Sequence, residues 1–157
     1  MLYTVTPVID RTVRNLCQRP YHGHPNGCPN YNHVPRCPPY VPIFDTIFDV
    51  QYPVFAIVNK FDFRAHVERM RELHPTWSKY QLECCLYWQQ GARNRLKGMI
   101  KEFQENFMMT GYSVVTTPEA MGVDVTKTMA TVGVVLEWPP VNFTYQVALA
   151  AWRKDNK

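Results

Sequence analysis

The chain has 157 residues, 46% of them apolar and 19% charged, and its 17 basic and 13 acidic residues give a formal charge of +4. That length suits one domain with its own core, the low charge excludes an intrinsically disordered chain, and so mild a basicity does not by itself specify a nucleic-acid partner. No apolar run reaches the ~18–20 residues that span a bilayer, and the opening MLYTVTPVIDRTVRN has neither the basic nor the apolar segment of a secretory signal, so the expectation is a cytoplasmic protein with no membrane partner.

Residues 1–53 hold nine of the thirteen prolines, three of the five cysteines and three of the five histidines. Within them Cys17–Pro42 cannot form a helix or a central strand, because proline recurs too often and Asn-Gly, His-Gly-His and Pro-Pro punctuate it as turns. An irregular stretch that long inside a compact domain needs a tie, and metal ligation by its own cysteines supplies one. The core then runs over 43–157. Ile43–Val50 reads as a short amphipathic helix, and Val54–Asn59 as a buried strand. Arg64–Leu73 reads as a helix capped by Asp62 and closed before His74-Pro75.

The longest predicted element is a helix from Trp77 to about Phe107, opened by a capping box of Ser78 and Gln81. Along it Tyr80, Cys84, Trp88, Ala92, Leu96 and Ile100 form an i, i+4 apolar stripe, while Arg93, Arg95, Lys97 and Lys101 occupy other faces as a solvated set. After Gly111 come a strand at Tyr112–Thr116, a helix at Val125–Val132 capped by Asp124 and closed by Gly133, and strands at Val134–Glu137 and Phe143–Ala151. Strands alternating with helices predict an α/β single domain: a mixed sheet with flanking helices, including at least one antiparallel pair.

The odd cysteine count, with Cys84 and Cys85 adjacent, makes a poor disulfide framework, and in a reducing compartment clustered thiols bind metal or do chemistry. Cys17, Cys28 and Cys37 are spaced C-x10-C-x8-C, unlike a zinc knuckle or a ferredoxin run, but each lies beside or close to proline or glycine. Turns of that kind let the backbone wrap a compact centre and aim N–H groups at sulfur. Cys84, on the apolar stripe between Tyr80 and Trp88, is the preferred fourth thiolate over Cys85, which has Gln81 and Gln89 one turn to either side. Four thiolates, or three with one open iron, suit a [4Fe–4S] cluster. Three thiolates with His22, His24 or His33 suit a structural zinc instead.

The stretch GCPNYNHVPRCPP, followed much later by EAMGVDVTKTMATVG, resembles an uncharacterised family of predicted metal-binding proteins. That family joins a cysteine-rich C-P-x-Y…C-P-P segment to a later G-[IV]-D-V-x-x-T helix start, and the matched motifs cover about a fifth of this chain. The resemblance implies a metal or iron–sulfur site at Cys28 and Cys37 with Cys17 as the upstream partner. It implies no particular reaction. The family pattern has more closely spaced upstream cysteines than the ten-residue gap between Cys17 and Cys28.

No dinucleotide fingerprint, phosphate-binding loop, H-E-x-x-H zinc helix or G-x-S-x-G elbow is present. Glu119, Asp124 and His24 are the candidate catalytic groups, expected near an open iron, although capping also accounts for Asp124. Trp88 and Trp138 are candidates for stacking on a base or shielding a cluster. The leading expectation is therefore a [4Fe–4S] protein that transfers electrons to a redox partner or acts on a small-molecule substrate. A zinc module that binds protein or nucleic acid is the second expectation, and a metal-free thiol enzyme the third.

Overall fold

The structure, a computed structural model, describes residues 1–20, 24–107 and 111–156. Its centre is a four-stranded sheet in the order β1-β2-β4-β3, formed by β1 (Leu2–Val5), β2 (Val54–Asp62), β3 (Tyr112–Val115) and β4 (Phe143–Trp152). All three strand pairings are antiparallel, so the α/β domain predicted with a mixed sheet has an antiparallel one. Sequence patterning gives the strands but not their directions. Here the connection from β2 to its neighbour β4 passes through about half of the chain, and β4 returns antiparallel.

Alternation along β2 and β4 sends side chains to two separate cores. Val54, Ala56 and Val58 of β2 and Val147, Leu149 and Ala151 of β4 face one side. There they pack on Phe44, Phe48, Met121, Val123, Val125, Met129 and Val134. Ile57, Ala148 and Ala150 face the other side, where Leu96 and Phe103 close over them. The first layer holds the short helices α1 (Phe44–Ile47) and α5 (Val125–Ala130), and a 3-10 turn at Pro118–Met121. The second layer is dominated by α4 (Gln89–Phe107).

Two predicted caps form as expected. The Asp62 carboxylate accepts from the Ala65 N–H (2.9 Å) at the start of α2 (Phe63–Leu73), and Asp124 accepts from the Lys127 N–H (2.9 Å) at the start of α5. The Ser78–Gln81 capping box is also present, but it opens a helix of only five residues, α3 (Lys79–Glu83). The predicted continuous helix over 77–107 is broken. Cys84 adopts φ −57°, ψ 126°, Cys85–Tyr87 form a 3-10 turn, and α4 starts afresh at Gln89. Cysteine and aromatic residues have weak helix propensity, and Trp88 gains more by leaving the helical path. Its ring stacks on Phe61 (5.2 Å), and its indole N–H donates to the Glu83 carbonyl (3.2 Å). The stripe therefore holds only from Ala92 onward, and Tyr80 is exposed. The predicted strand at Val134–Glu137 has no ladder partner among the described residues. It is an extended segment anchored by buried Val134.

α4 is tied to the sheet by a polar contact as well as by packing. The buried Asn59 amide on β2 donates to the Gln146 side chain on β4 (2.8 Å) and to the Ala92 carbonyl of α4 (3.3 Å). This satisfies the amide's donors and fixes the first turn of α4 over β4.

His66 on α2 is only 4% exposed, and its Nε2 has no hydrogen-bond partner among the described residues. Burial, and secondarily the Arg69 guanidinium 3.4 Å from Nδ1, hold its pKa below the ordinary value. The unfolded chain therefore binds this proton more readily. Stability carried by neutral His66 is complete above about pH 6.5 and is lost as the pH falls through the depressed folded value. Thermal melts between about pH 8 and 5 should show wild type losing more stability on acidification than His66→Leu. Parallel curves would show that His66 is not the group responsible.

Candidate metal and ligand site

The cysteine-rich loop is ordered by its own turns. The 3-10 helix Arg11–Gln18 is capped by Asp10, which accepts from the Thr12 N–H, and it ends with Cys17 in its last turn. The Cys28 N–H donates to the Cys17 carbonyl (2.7 Å), which brings two of the three loop cysteines together through the backbone. The Asn32 N–H donates to the Pro38 carbonyl (2.8 Å) and the Tyr40 hydroxyl to the Asn32 carbonyl (3.2 Å), which folds Cys37 back over the loop. Arg14 fastens the far end by donating to the Val41 carbonyl (2.7 Å). Proline density makes regular structure impossible here, so these turn bonds supply the order.

Cys17, Cys28 and Cys37 are all partly buried free thiols. Burial raises the Cys17 pKa most, and the Cys28 and Cys37 thiols and the Glu119 carboxyl raise it further against a smaller opposing effect from Arg14. The sequence-predicted trio thus shares one electrostatic neighbourhood, and Glu119 belongs to it. Among the described residues, no three His, Cys, Asp or Glu side chains are grouped closely enough to hold a metal ion. The thiols converge without closing on a point.

The other predicted residues fall elsewhere. Cys84 is the partly buried residue that ends α3 and does not line the cleft described below, and Cys85 is exposed. His24 lies in the loop, where its carbonyl accepts from the Gly27 N–H, His33 is exposed, and His22 is outside the described residues. The Asp124 side chain caps α5 and also lies 4.0 Å from the Lys127 ammonium.

Beside the thiols lies a cleft of about 730 Å³. It exists because β3 is short: its last pairing is Val115 with Leu149, so Phe143–Ala148 of β4 has β2 on one edge and no strand on the other among the described residues. α4 forms one wall through Gln89, Arg93, Leu96, Lys97 and Ile100, a single helical stripe, while Trp138 and Glu137 stand across the opening. Arg36 and Cys37 of the loop complete the rim. Glu119 is solvent-exposed on the wall of this cleft, and desolvation by the neighbouring protein pushes its carboxyl above the ordinary range. Glu137 shows the opposite behaviour. It accepts from the Val141 and Asn142 N–H groups and from the Asn142 side chain (2.8, 2.7 and 3.1 Å), and these bonds pull its pKa down.

The cations of this wall were legible in sequence only as a solvated face. Arg93 and Lys97 in fact line the cleft, whereas Lys101 one turn later pairs with Glu105 (3.8 Å). Comparison with protein-family models, curated proteins and solved structures finds no match for the chain. Among the described residues, no helix is long and apolar enough to cross a membrane.

Gly27 is the point where loop and 3-10 helix touch. Its φ is +84°, and a Cβ there would stand 2.5 Å from the Cys17 carbonyl oxygen and 2.8 Å from the Gln18 carbonyl carbon. Backbone cannot yield as a flexible side chain can, and the left-handed conformation adds its own strain. Gly27→Ala should cost about 1–3 kcal/mol in urea unfolding and expose the loop to protease. Wild-type stability and protease resistance in this variant would refute the packing of the loop against Cys17.

Proposed function

We propose that this protein carries an iron–sulfur centre on Cys17, Cys28 and Cys37, with the face of the centre that these thiolates leave free directed to the cleft. The observation that supports this most is the gathering of three loop cysteines beside a cleft that one of them, Cys37, helps to line. Metal binding deprotonates the thiols it ligates, so three thiols held in one loop form a site that a cation would hold as thiolates. At Cys17 the raised pKa disfavours a metal-free thiol nucleophile, since it leaves little thiolate at neutral pH.

Three thiolates without an obvious fourth fit a [4Fe–4S] cluster with one iron available to a ligand. Cys84 is the fourth ligand of a closed alternative, which would serve electron transfer. The position of Cys37 on the cleft, and of Cys84 off it, favours the open form. When bound, such a centre supplies a Lewis-acidic iron or a one-electron couple. The chain's own contribution is the cleft wall and Glu119, whose raised pKa suits it to hold a proton beside the thiols. Because the thiols do not close on a point in this structure, ligation would also draw the loop together, and metal content and loop order are coupled.

Protein purified without oxygen should be brown, with about four iron and four sulfide per chain. Cys17→Ala, Cys28→Ala and Cys37→Ala should each lose most of that colour, while Cys84→Ala keeps it. Loss of colour in Cys84→Ala to the same extent would establish the closed form. A colourless protein with one zinc would replace this reading with the structural zinc module, and a metal-free protein would end both.

A further inference from the structure

The cleft carries a second message that does not depend on a metal. Its two carboxylates do not pair with its cations: Glu137 is committed to three N–H donors of the 141–142 turn, and Glu119 forms no ion pair among the described residues. Its three cations are likewise unpaired. Arg36, Arg93 and Lys97 make no ion pair among the described residues, although five such pairs form elsewhere. Arg93 and Lys97 are four apart on α4, where like charges repel, and no acidic residue lies three or four positions from either one. The pair is an electrostatic cost that an anion in the cleft removes.

Aromatic surface faces the same space. Trp138 is 74% exposed, yet it is held in place by its indole N–H, which donates to the Thr126 hydroxyl (3.1 Å). A large apolar ring kept in solvent by a side-chain bond is a platform rather than a core residue. Trp88, stacked on Phe61, lines the cleft as well. The floor is the open edge of β4, whose backbone N–H and C=O groups have no strand partner beyond Leu149 and so offer hydrogen bonds to a planar ligand's edge. The volume lies within the ~300–1,000 Å³ of small-molecule sites.

We propose that the cleft binds a mononucleotide: a phosphate at Arg93, Lys97 and Arg36, and a base stacked on Trp138 with its edge toward the open strand of β4. Phosphate is matched by the guanidinium forks and the lysine charge, and the base by an aromatic platform beside unpaired backbone. Neither half of such a ligand would use the whole site. The assignment stands on residues that ligate no metal, so it survives failure of the iron–sulfur reading.

Calorimetric titration of the full chain with AMP and GMP tests this, with adenosine, guanosine and inorganic phosphate as half-ligands. Repeating it on Cys37→Ala separates the cleft from the metal. Binding of at least one nucleotide is expected, tenfold or more tighter than its nucleoside or phosphate, and retained in Cys37→Ala. The double variant Arg93→Gln/Lys97→Gln and the single Trp138→Leu should each weaken it by about tenfold, since stacking and charge-assisted bonds each have at least that worth. All these side chains are exposed, so unchanged circular dichroism is expected, and Arg95→Gln, off the cleft, controls for net charge. No binding by either nucleotide, equal binding of phosphate alone, or equal loss with Arg95→Gln would overturn the proposal. A single-stranded oligonucleotide binding more than tenfold tighter than the mononucleotide would also overturn it, in favour of a nucleic-acid surface.

Discussion

The pairing of β2 with β4 organises everything else. It runs over eight residues, from Phe55 with Ala150 to Asp62 with Phe143, and it is covered on both faces. Covering both faces of two adjacent strands is possible only if side chains take turns in volume, and the register arranges this. Ala150 lies opposite Phe55, Ala148 opposite Ile57, and Ala56 opposite Leu149, a small residue against a large one each time. Ala148, Ala150 and Ala151 are completely buried. Larger residues there would push α4 off one face or the α1 and α5 layer off the other, at a cost of about 1–3 kcal/mol each.

From that pairing the position of the cleft follows. β4 is ten residues long and β3 only four, so the strand's C-terminal half is sheathed and its N-terminal half presents an edge. An open edge invites aggregation unless something blunts it. Here α4, held down by the Asn59–Gln146–Ala92 contact, stands on one side, and the segment from Val134 to Pro140 stands on the other. The edge thus becomes the floor of a walled cleft. Asn59 is therefore a positioning residue for the cleft: its amide sets where α4 begins, and with it where Trp88, Arg93 and Lys97 stand.

Much of the fold was legible in the sequence because its signals were local. Asp62, Ser78 with Gln81, and Asp124 all cap the helices expected of them, since a cap needs only the residues within one turn. The uninterrupted apolar run in β2 and the break at Gly111 before β3 were equally plain. The failures are tertiary. The stripe from Tyr80 to Ile100 has helical spacing throughout, yet stacking of Trp88 on Phe61, some 27 positions away, breaks the helix at Cys84. No periodicity in the segment announces that partner. β1 and the 3-10 helix at Arg11–Gln18 leave no signal in the sequence, because four residues are too few for a pattern and 3-10 geometry has none of the 3.6-residue period. At the site, the three loop cysteines and Glu119 were named from chemistry alone. The cations read as a solvated face with at most a weak contact to nucleic acid, although the missing acidic neighbours of Arg93 and Lys97 are visible in the bare sequence.

The loop thiols and the cleft meet at one residue. Cys37 lies in the thiol neighbourhood through its effect on Cys17 and in the cleft through its place on the rim, next to Arg36. Glu119 has the same double membership from the opposite side, because the 3-10 turn that carries it packs against the Arg11–Gln18 helix that carries Cys17. The field there is uneven. The Cys17 thiol and the Glu119 carboxyl, whose pKa values are raised, sit at one end, and cations without ion-pair partners among the described residues at the other. Ligation at the loop would deprotonate its thiols, and three thiolates outweigh the 2+ charge of a zinc ion or a [4Fe–4S] core, so the occupied centre would be net negative. A centre at the loop and an anion on α4 would therefore compete for the same cations and bind anticooperatively through charge alone, with Arg36, next to Cys37, between the two ends.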